Sequence, residues 1–485
     1  MSYQTNLFIG GKYVPSSTGQ RLTVYNPSDE SLVTDIVHAA NEDDVERAVE
    51  AAKSAFPSWK ATAGPKRGAM MLKFADLLEA NADRLATLES QAMGQPITYA
   101  RSVILGSCSL WRYYAGYAGK VAGESFPPDE DGTYKIVQYE PLGVCAGICA
   151  WNESHYLAAW KMAPAMAAGN TFIIKSSEKS PISLAQYGDL VHEAGFPPGV
   201  INILAGDGTV GNLLASHKGI AAISFTGSSA VGRAVQVAAA KSNLKRVTLE
   251  LGGKSPAIIF NDADIPNAVS NTSQTFLRNS GQICSSASRV FVQESIAPEY
   301  IRKIKVAFEE AAKKMGDPAA AETMYGPLAD MKQLDRVMAF ISEARAEGTE
   351  VLAGGERKGN KGAFVQPTVL LNPPLDSRVF TEEIFGPVIN VRTFKDEDEV
   401  VKLANDTSYG LGSAVYTSDM ARALRVAGQI EAGLVGINSA FSANQQTPFG
   451  GWKQSGYGRE SGSEGLKVYL QSKTIHINMN LPSKL

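Results

Sequence analysis

Apolar residues are spaced along the chain either with the period of a helix or as the short continuous runs of a buried strand. After Asn41, a candidate helix cap, apolar positions repeat every three or four residues up to Ala55. Similar helical spacing recurs at 67–85, 104–119, 160–168, 183–194, 231–241, 264–279, 298–314, 396–405 and 419–430. Apolar runs lie between them at 143–149, 171–175, 200–204, 220–225, 246–251, 289–292, 364–370 and 433–438. Buried strands separated by helices predict parallel sheets covered on both faces.

The predicted elements form two successive α/β sets. A chain of 485 residues is longer than a domain with a single hydrophobic core usually is, so we expect at least two domains. The predicted bounds are 1–121 with 142–251 for the first domain, 252–465 for the second, and 122–141 with 466–485 for a small β arm and tail. Residues 126–132 have the composition of a hairpin turn. The alternating stretch 467–479 predicts a strand outside both domains, which we expect to pair with a neighbouring subunit in a homodimer or homotetramer.

Composition and charge exclude several classes of protein. Apolar residues make up 44% of the chain and charged residues 20%, which is ordinary for a globular protein. The net charge of −3 gives no reason to expect a nucleic acid or an anionic membrane as partner, and no apolar run is long enough to span a bilayer. The first residues lack the blocks of a secretion signal. The four cysteines and five histidines are scattered, which favours a reduced, intracellular chain without a metal site.

The sequence ends in Ser483-Lys484-Leu485, the tripeptide that the peroxisomal import receptor binds at a free C-terminus. We therefore expect a peroxisomal location. The alternative is that the tripeptide occurs by chance and that the protein is cytoplasmic.

Three residues are candidates for chemistry. Cys284 lies in a Gly- and Ser-rich turn after a predicted helix, although a lone cysteine is more often inert core than nucleophile. Glu250 ends an apolar strand, where a buried carboxylate costs free energy unless it has a function or a partner such as Lys254. Asn152 also follows an apolar strand, and its side-chain amide can donate hydrogen bonds to an oxyanion.

Taken together, these blocks resemble the aldehyde dehydrogenase superfamily. The matching blocks are Trp151-Asn152, Phe225-Thr-Gly-Ser228, Glu250-Leu-Gly-Gly-Lys254, Gly281-Gln-Ile-Cys284, Glu382-Glu-Ile-Phe-Gly-Pro387 and Pro448-Phe-Gly-Gly-Trp-Lys453. The likeness extends from about Leu7 to Ile477. It implies an α/β fold in which the first domain is a Rossmann-type NAD-binding domain, the second is an α/β catalytic domain, and the small β arm mediates oligomerisation.

The resemblance implies that the Cys284 thiolate attacks the aldehyde, and that Asn152 and the backbone N–H of Cys284 hold the resulting thiohemiacetal. Hydride transfer to the nicotinamide leaves a thioester, which water activated by Glu250 hydrolyses to a carboxylic acid. Lys161 and Glu460 match the proton-relay pair of the superfamily, with a structural salt bridge as the alternative.

The resemblance also implies an NAD site. Ser228, after Gly227, lies at the start of a helix, where a backbone N–H can bind a pyrophosphate. Lys175 and Glu178 resemble the pair that binds the adenine ribose, and a carboxylate there favours NAD because it repels the 2′-phosphate of NADP. The other implied cofactor contacts are Ile148, Trp151, Gly208, Phe225, Val231, Gly252, Gln333, Glu383 and Phe385.

The chain departs from the superfamily pattern directly after Asn152. Members commonly have Phe-Pro and apolar residues there, lining the substrate tunnel, whereas this chain has Glu153, His155 and Tyr156. We hypothesise that Glu153 faces a cationic or strongly polar substrate such as an aminoaldehyde. The alternative is that Glu153 and His155 pair with each other or turn to solvent. The implied substrate-site residues are Trp111, Glu153, Tyr156, Trp160, Ile283 and Phe441.

Two other functions stay open at this point. In a CoA-acylating semialdehyde dehydrogenase, CoA resolves the thioester, so a base such as Glu250 is unnecessary. A binding protein could keep the fold without turnover, and it would then have no need of Cys284, Glu250 and Asn152.

Overall fold

The structure is a computed structural model that describes residues 3–440 and 443–480. Phe441 and the Ser483-Lys484-Leu485 tripeptide lie outside the described residues. The strands, in chain order, are β1 (Leu7–Ile9), β2 (Lys12–Val14), β3 (Arg21–Tyr25), β4 (Leu32–His38), β5 (Glu124–Phe126), β6 (Thr133–Pro141), β7 (Val144–Ile148), β8 (Thr171–Ser176), β9 (Ile201–Ala205), β10 (Ala222–Thr226), β11 (Arg246–Glu250), β12 (Ser255–Ile259), β13 (Ala287–Gln293), β14 (Glu350–Ala353), β15 (Thr368–Leu371), β16 (Val388–Phe394), β17 (Gly412–Tyr416), β18 (Leu434–Ile437), β19 (Gly456–Tyr457) and β20 (Leu470–Asn478).

The α-helices, in chain order, are α1 (Glu42–Ala61), α2 (Gly64–Ala80), α3 (Ala82–Met93), α4 (Ile97–Ala115), α5 (Ser154–Ala168), α6 (Pro181–Ala185), α7 (Tyr187–Ala194), α8 (Gly208–Ser216), α9 (Ser229–Ser242), α10 (Ile265–Ser270), α11 (Ala297–Lys313), α12 (Met331–Ala346), α13 (Arg378–Thr381), α14 (Glu397–Asn405), α15 (Met420–Ala427) and α16 (Gly462–Lys467). None of the helices described is long and apolar enough to cross a membrane. Within the same ranges, no group of three or more His, Cys, Asp and Glu side chains is arranged to hold a metal ion.

The first large sheet has the strand order β19-β11-β10-β7-β8-β9-β1-β2, and its five central strands from β11 to β9 are parallel. The strands β7, β8, β9 and β10 are fully buried because helices cover both faces of the sheet. The chain order reverses between β7 and β10. In doubly wound sheets, ligands bind outside the carboxyl ends of the strands at such a reversal.

The second large sheet has the order β14-β15-β16-β13-β12-β17-β18 and is parallel except for β14 at its edge. Its two faces are covered by separate apolar clusters. The prediction of two successive α/β sets with parallel sheets is therefore confirmed.

The predicted arm is a third sheet with the order β20-β6-β5. The hairpin around residues 126–132 is confirmed, because β5 and β6 pair antiparallel. The tail strand β20 pairs with β6 of the same chain from Leu470 to Asn478. Because β20 lies at the edge of this sheet, its pairing with a neighbouring subunit in a homodimer or homotetramer stays a prediction.

Most predicted helices are confirmed, but their ends differ where the chain must bend. Asn41 caps α1 in a reciprocal capping box with Asp44, as its position before the apolar repeat predicted. The helical pattern at 67–85 is two helices that meet at Asn81. The pattern at 264–279 is broken further: α10 ends at Ser270, a π-helical turn follows, and a 3-10 segment at Arg278–Gly281 leads to Cys284.

Candidate active site

A cavity of about 780 Å³ is lined by residues from both large sheets and their connections. Thr226 and Glu250 reach it from the carboxyl ends of β10 and β11, which are paired in register. Cys284 reaches it from the loop before β13, and Ser413 reaches it from β17 of the second sheet. Asn152, which follows β7, completes this part of the wall. The three candidates for chemistry therefore share one cavity, at the sheet edge where a doubly wound fold binds its ligand.

Residues 279–284, called the cysteine loop below, have an unusual backbone. Asn279, Ser280 and Gly281 are left-handed in succession, with φ values of 49°, 55° and 72°. Non-glycine residues rarely adopt this conformation, so tertiary contacts must hold it. At Gly281 a Cβ would lie 2.3 Å from the carbonyl oxygen of Gly386, which explains a glycine there. This bend ends the predicted helix and turns the chain toward the cavity.

Buried hydrogen bonds hold the same loop in place. The fully buried side chain of Gln282 donates to the carbonyl of Asn279 at 2.9 Å and accepts from the backbone N–H of Ala329 at 3.0 Å. Ser280 donates to the carbonyl of Gly326 at 2.7 Å. Because these polar groups are satisfied inside the protein, the position of Cys284 is determined by its supporting loop.

Asn152 is tied directly to that loop. Its side-chain Nδ2 donates to the carbonyl of Gln282 at 3.1 Å. Its own carbonyl accepts hydrogen bonds from the side-chain amides of Gln95 and Asn279, the latter at 2.9 Å. These contacts hold Asn152 beside the cysteine loop although the proline that commonly follows it in the superfamily is missing. The second hydrogen of Nδ2 stays available for an oxyanion in the cavity.

Glu250 is 2% exposed, and neither of its carboxylate oxygens makes a hydrogen bond to any described residue. Burial, and next the carboxylate of Glu460, raise the pKa of Glu250 well above its usual range. Lys254 is not its partner, because the Lys254 ammonium donates to the carbonyl of Val379 at 2.7 Å. The structural salt bridge considered for Glu250 and Lys254 is therefore wrong. An unsatisfied buried carboxyl at a cavity wall is typical of a functional group.

Lys161 and Glu460 form a buried ion pair behind Glu250, with 2.6 Å between Nζ and Oε1. Lys161 also donates to the Thr226 hydroxyl at 2.6 Å, and Ser224 donates to Glu460 Oε1 at 2.9 Å. Glu460 Oε2 has no hydrogen-bond partner among the described residues. The pair is thus a buried salt bridge, hydrogen-bonded at Lys161 Nζ and Glu460 Oε1, whose charges also act on Glu250.

Cys284 is half-buried at the cavity wall, whereas the other three cysteines are buried. Burial raises its pKa well above the usual value, and the carboxylates of Glu383, Glu153 and Glu250 raise it further. The thiol form therefore predominates at neutral pH in this structure, and attack on a carbonyl needs removal of that proton.

The comparisons with known proteins decide the family. The family model described as "Aldehyde dehydrogenase family" matches residues 13–475. The chain belongs to the aldehyde dehydrogenase family. It is 44% identical to an aldehyde dehydrogenase of Emericella nidulans over 98% of this chain and 95% of the relative. It is also 44% identical to retinal dehydrogenase 2 of Homo sapiens, over 98% of this chain and 92% of the relative.

Solved structures support the same assignment. The protein PnpE from Pseudomonas sp. WBC-3 has been solved alone and in complex with nicotinamide adenine dinucleotide. The complex matches this aldehyde dehydrogenase with a TM-score of 0.95 and 41% identity, over 99% of both chains. The predicted fold is thereby confirmed.

Seven of the predicted cofactor residues of this aldehyde dehydrogenase line the cavity. These are Trp151, Gly227, Ser228, Gly252, Gln333, Glu383 and Phe385. Ser228 caps α9, and Ser228, Ser229 and Ala230 line the cavity, so the N-terminus of this helix borders it. Gln333 donates to the carbonyl of Phe385 at 2.8 Å, and the Phe385 ring stands edge-on to Trp151 at 5.3 Å.

Glu383 supplies a half-buried carboxylate to the same cavity. Its Oε1 accepts from the backbone N–H of Gly253 at 3.1 Å, and burial raises its pKa to about 7. A Cβ on Gly252 would lie 2.2 Å from Glu383 Oε2, so only glycine leaves room for this carboxylate.

The other six predicted cofactor residues do not line the cavity. Ile148 and Phe225 are buried within β7 and β10, two of the strands that lead to the cavity. Lys175 lies near the carboxyl end of β8, Glu178 follows that strand and Gly208 follows β9, with 3.9 Å between Lys175 Nζ and Glu178 Oε2. Val231, in the first turn of α9, donates its backbone N–H to Ser228 Oγ at 3.4 Å.

The predicted substrate residues divide in a similar way. Glu153, Tyr156, Trp160 and Ile283 line the cavity, whereas Phe441 lies outside the described residues. Trp111 is fully buried and packs against Phe74 at 4.6 Å between ring centroids, so it belongs to the core and not to the cavity wall.

His155 also lies away from the cavity. The expectations that Glu153 and His155 pair with each other or turn to solvent are both wrong. His155 is buried and hydrogen-bonded to Tyr187 at 2.7 Å and to Ser183. Burial lowers its pKa to about 3, so the ring is neutral. Glu153 neither pairs with His155 nor turns to solvent, because its carboxyl accepts a hydrogen bond from the Tyr99 hydroxyl in the cavity wall.

Sequence reasoning missed several residues of this site. Tyr99 and Arg278 line the cavity, and Gln95 and Asn279 hold Asn152. Tyr99 gave no signal, because it lies in an ordinary helical pattern. Arg278 lies six residues before the candidate nucleophile, and this proximity could have marked it as a candidate site residue.

Proposed function

We propose that this enzyme oxidises an aldehyde to a carboxylic acid with NAD, through a thioester on Cys284. The observation that carries the proposal is that one cavity contains the thiol of Cys284, the amide of Asn152 and the unpaired carboxyl of Glu250. These three groups supply a nucleophile, a donor for an oxyanion and a base, which acyl transfer to water requires.

In the first step, the Cys284 thiol loses its proton to solvent water, the resulting thiolate attacks the aldehyde carbon, and the carbonyl oxygen becomes an oxyanion. Asn152 Nδ2 and the backbone N–H of Cys284 donate hydrogen bonds to this oxygen. Asn152 does so at little reorganisation cost, because its backbone and side chain are already held by the cysteine loop. A bound nicotinamide ring supplies the hydride acceptor that turns the thiohemiacetal into a thioester.

In the second step, Glu250 takes a proton from a water molecule, which attacks the thioester and releases the acid. A raised pKa makes Glu250 a stronger base than an exposed glutamate. The Lys161–Glu460 pair lies behind it, and we propose that this pair passes the proton onward from Glu250.

The residues of the cofactor side fit a dinucleotide. The capped N-terminus of α9 at Ser228 suits a pyrophosphate, and the half-buried Glu383 carboxylate suits the hydroxyl groups of a ribose. Glu178, whose side chain is 45% exposed beside Lys175, is placed to accept from the adenine ribose. The rings of Trp151 and Phe385 add a flat apolar surface to the cavity wall on the cofactor side.

Replacing Glu178 with serine is expected to increase the use of NADP relative to NAD by about 10- to 100-fold, because the repulsion of the 2′-phosphate is removed. The ratio of kcat/KM values for the two cofactors measures this effect. Glu193→Ser is the matched control, since Glu193 is an exposed acid on α7 away from the cavity. Equal ratios in all three proteins would show that Glu178 does not select the cofactor.

The pH profile should follow from the raised pKa of Cys284. The reactive form is the thiolate, and its fraction grows as pH approaches that pKa from below. We therefore expect kcat/KM for the aldehyde to rise by up to about tenfold per pH unit between about pH 6 and about pH 9. A profile that falls with rising pH across this range would contradict the assignment of a buried thiol as nucleophile.

A panel of aldehydes with NAD and NADP, followed at the absorbance of the reduced nicotinamide, tests the proposed function. The expected result is NADH formation and free acid without added CoA. An absolute requirement for CoA would instead support the acylating alternative. The absence of reduced cofactor with every aldehyde would support a binding protein on the same fold.

A further inference from the structure

Arg278 is an exposed cation in the wall of the active-site cavity. Its guanidinium makes neither a hydrogen bond nor an ion pair with any residue that the structure describes. Burial raises the pKa of both Tyr99 and Glu153, and the charge of Arg278 lies close enough to oppose part of that rise. The five N–H donors of Arg278 are therefore available to a molecule that enters this side of the cavity.

The other cavity arginines are already engaged. Arg336 donates to the carbonyl of Glu383 at 2.9 Å and packs over the Phe340 ring, and Arg233 donates to the side chain of Gln454. Both lie on the side of the cavity assigned to the cofactor. Arg278 differs from them in its position as well, because it lies beside the cysteine loop.

The nearest acid, Glu153, does not neutralise Arg278 by direct contact. Its carboxyl accepts from the Tyr99 hydroxyl, and no ion pair joins it to Arg278 among the described residues. Burial opposes ionisation of Glu153 and raises its pKa, whereas an arginine keeps its charge. The permanent charge on this side of the cavity is therefore positive.

The wall of the cavity that contains Arg278 and Cys284 also offers an aromatic surface. The rings of Tyr156 and Trp160 lie 5.0 Å apart, and Phe449 packs on Trp160 at 4.4 Å. Such a surface covers a short carbon chain without supplying a charge of its own.

We infer that the substrate is an aldehyde that carries a carboxylate or another anionic group at its far end, and that Arg278 binds this group. The inference rests on the proposed function, since the aldehyde end must reach Cys284. A planar guanidinium with free donors recognises a carboxylate by two parallel hydrogen bonds. The competing substrate is the aminoaldehyde suggested by Glu153, and it makes the opposite prediction about charge.

The test compares kcat/KM for three aldehydes of similar length that end in a carboxylate, its methyl ester or a trimethylammonium group. The wild-type enzyme should prefer the carboxylate. Arg278→Gln should lower the ratio of carboxylate to ester by about 10- to 100-fold, mainly through KM, and Arg278→Lys should restore part of it. Arg101→Gln is the control, because Arg101 is an exposed arginine on α4 that pairs with Asp83 outside the cavity.

A second readout does not depend on turnover. Glutarate, a dicarboxylate without an aldehyde, should inhibit the wild-type enzyme competitively against the carboxylated aldehyde, and Arg278→Gln should weaken this inhibition by a similar factor. An unchanged ratio and unchanged inhibition in Arg278→Gln would overturn the inference. A wild-type preference for the trimethylammonium aldehyde that is lost in Glu153→Gln would replace it with the aminoaldehyde hypothesis. In both of these cases turnover of the ester would leave the proposed function intact.

Discussion

Replacing Cys284 with alanine should reduce NADH formation from any aldehyde by a factor on the order of 10⁴ or more, because the thioester cannot form without the sulfur. The fold should survive, since the cysteine loop is held by Gln282, Ser280 and Asn279 and not by the thiol. Steady-state NADH production and a melting curve measure the two effects separately.

Cys108→Ala is the matched control for this variant. Cys108 is a fully buried cysteine on α4 outside the cavity wall, so its loss should affect stability slightly and turnover little. If Cys284→Ala kept a substantial share of wild-type turnover while Cys108→Ala lost it, another residue would have to be the nucleophile.

Replacing Glu250 with glutamine should separate the two halves of the reaction. Glutamine has nearly the same shape but cannot take a proton from water, so hydrolysis of the thioester should slow by about 10²- to 10⁴-fold. The first half of the reaction does not need this base. We therefore expect a burst of about one NADH per active site, followed by a steady rate far below that of the wild type.

Rapid mixing with an excess of aldehyde and NAD measures the burst, and mass spectrometry should find the acyl group on the tryptic peptide that contains Cys284. Glu89→Gln is the matched control, because Glu89 is another buried glutamate outside the cavity wall. A steady rate in Glu250→Gln equal to that of the wild type would remove Glu250 from the mechanism. If Glu250→Gln reached the steady rate of the wild type only when CoA is added, the result would favour a CoA-acylating dehydrogenase.

Local patterns were enough to predict much of the fold. The cap at Asn41, the hairpin at residues 126–132 and the buried strands of both sheets follow from spacing and turn composition. These features depend on interactions between residues close in sequence, which a linear pattern records directly. The family likeness depends on six short blocks, and the match over residues 13–475 confirms it.

Contacts between distant segments could not be predicted in this way. His155 and Glu153 are two residues apart, yet one is buried against Tyr187 and the other meets Tyr99 at the cavity. The helical pattern at 264–279 breaks because the buried partners of Gln282 and Ser280 hold a left-handed backbone there. Ala329 and Gly326, which hold Gln282 and Ser280, lie more than 40 residues away in sequence.

By itself, then, the sequence determined the family, the order of helices and strands, and the identities of Cys284, Glu250 and Asn152 as the candidates for chemistry. Only the tertiary structure decided that Lys254 is not the salt-bridge partner of Glu250, that Trp111 is core and that β20 pairs within its own chain. It also decided that Arg278 lines the cavity without an ion-pair partner among the described residues. The reason is physical: periodicity reports which side of an element is buried, whereas the partner of a buried or charged group depends on which elements pack together.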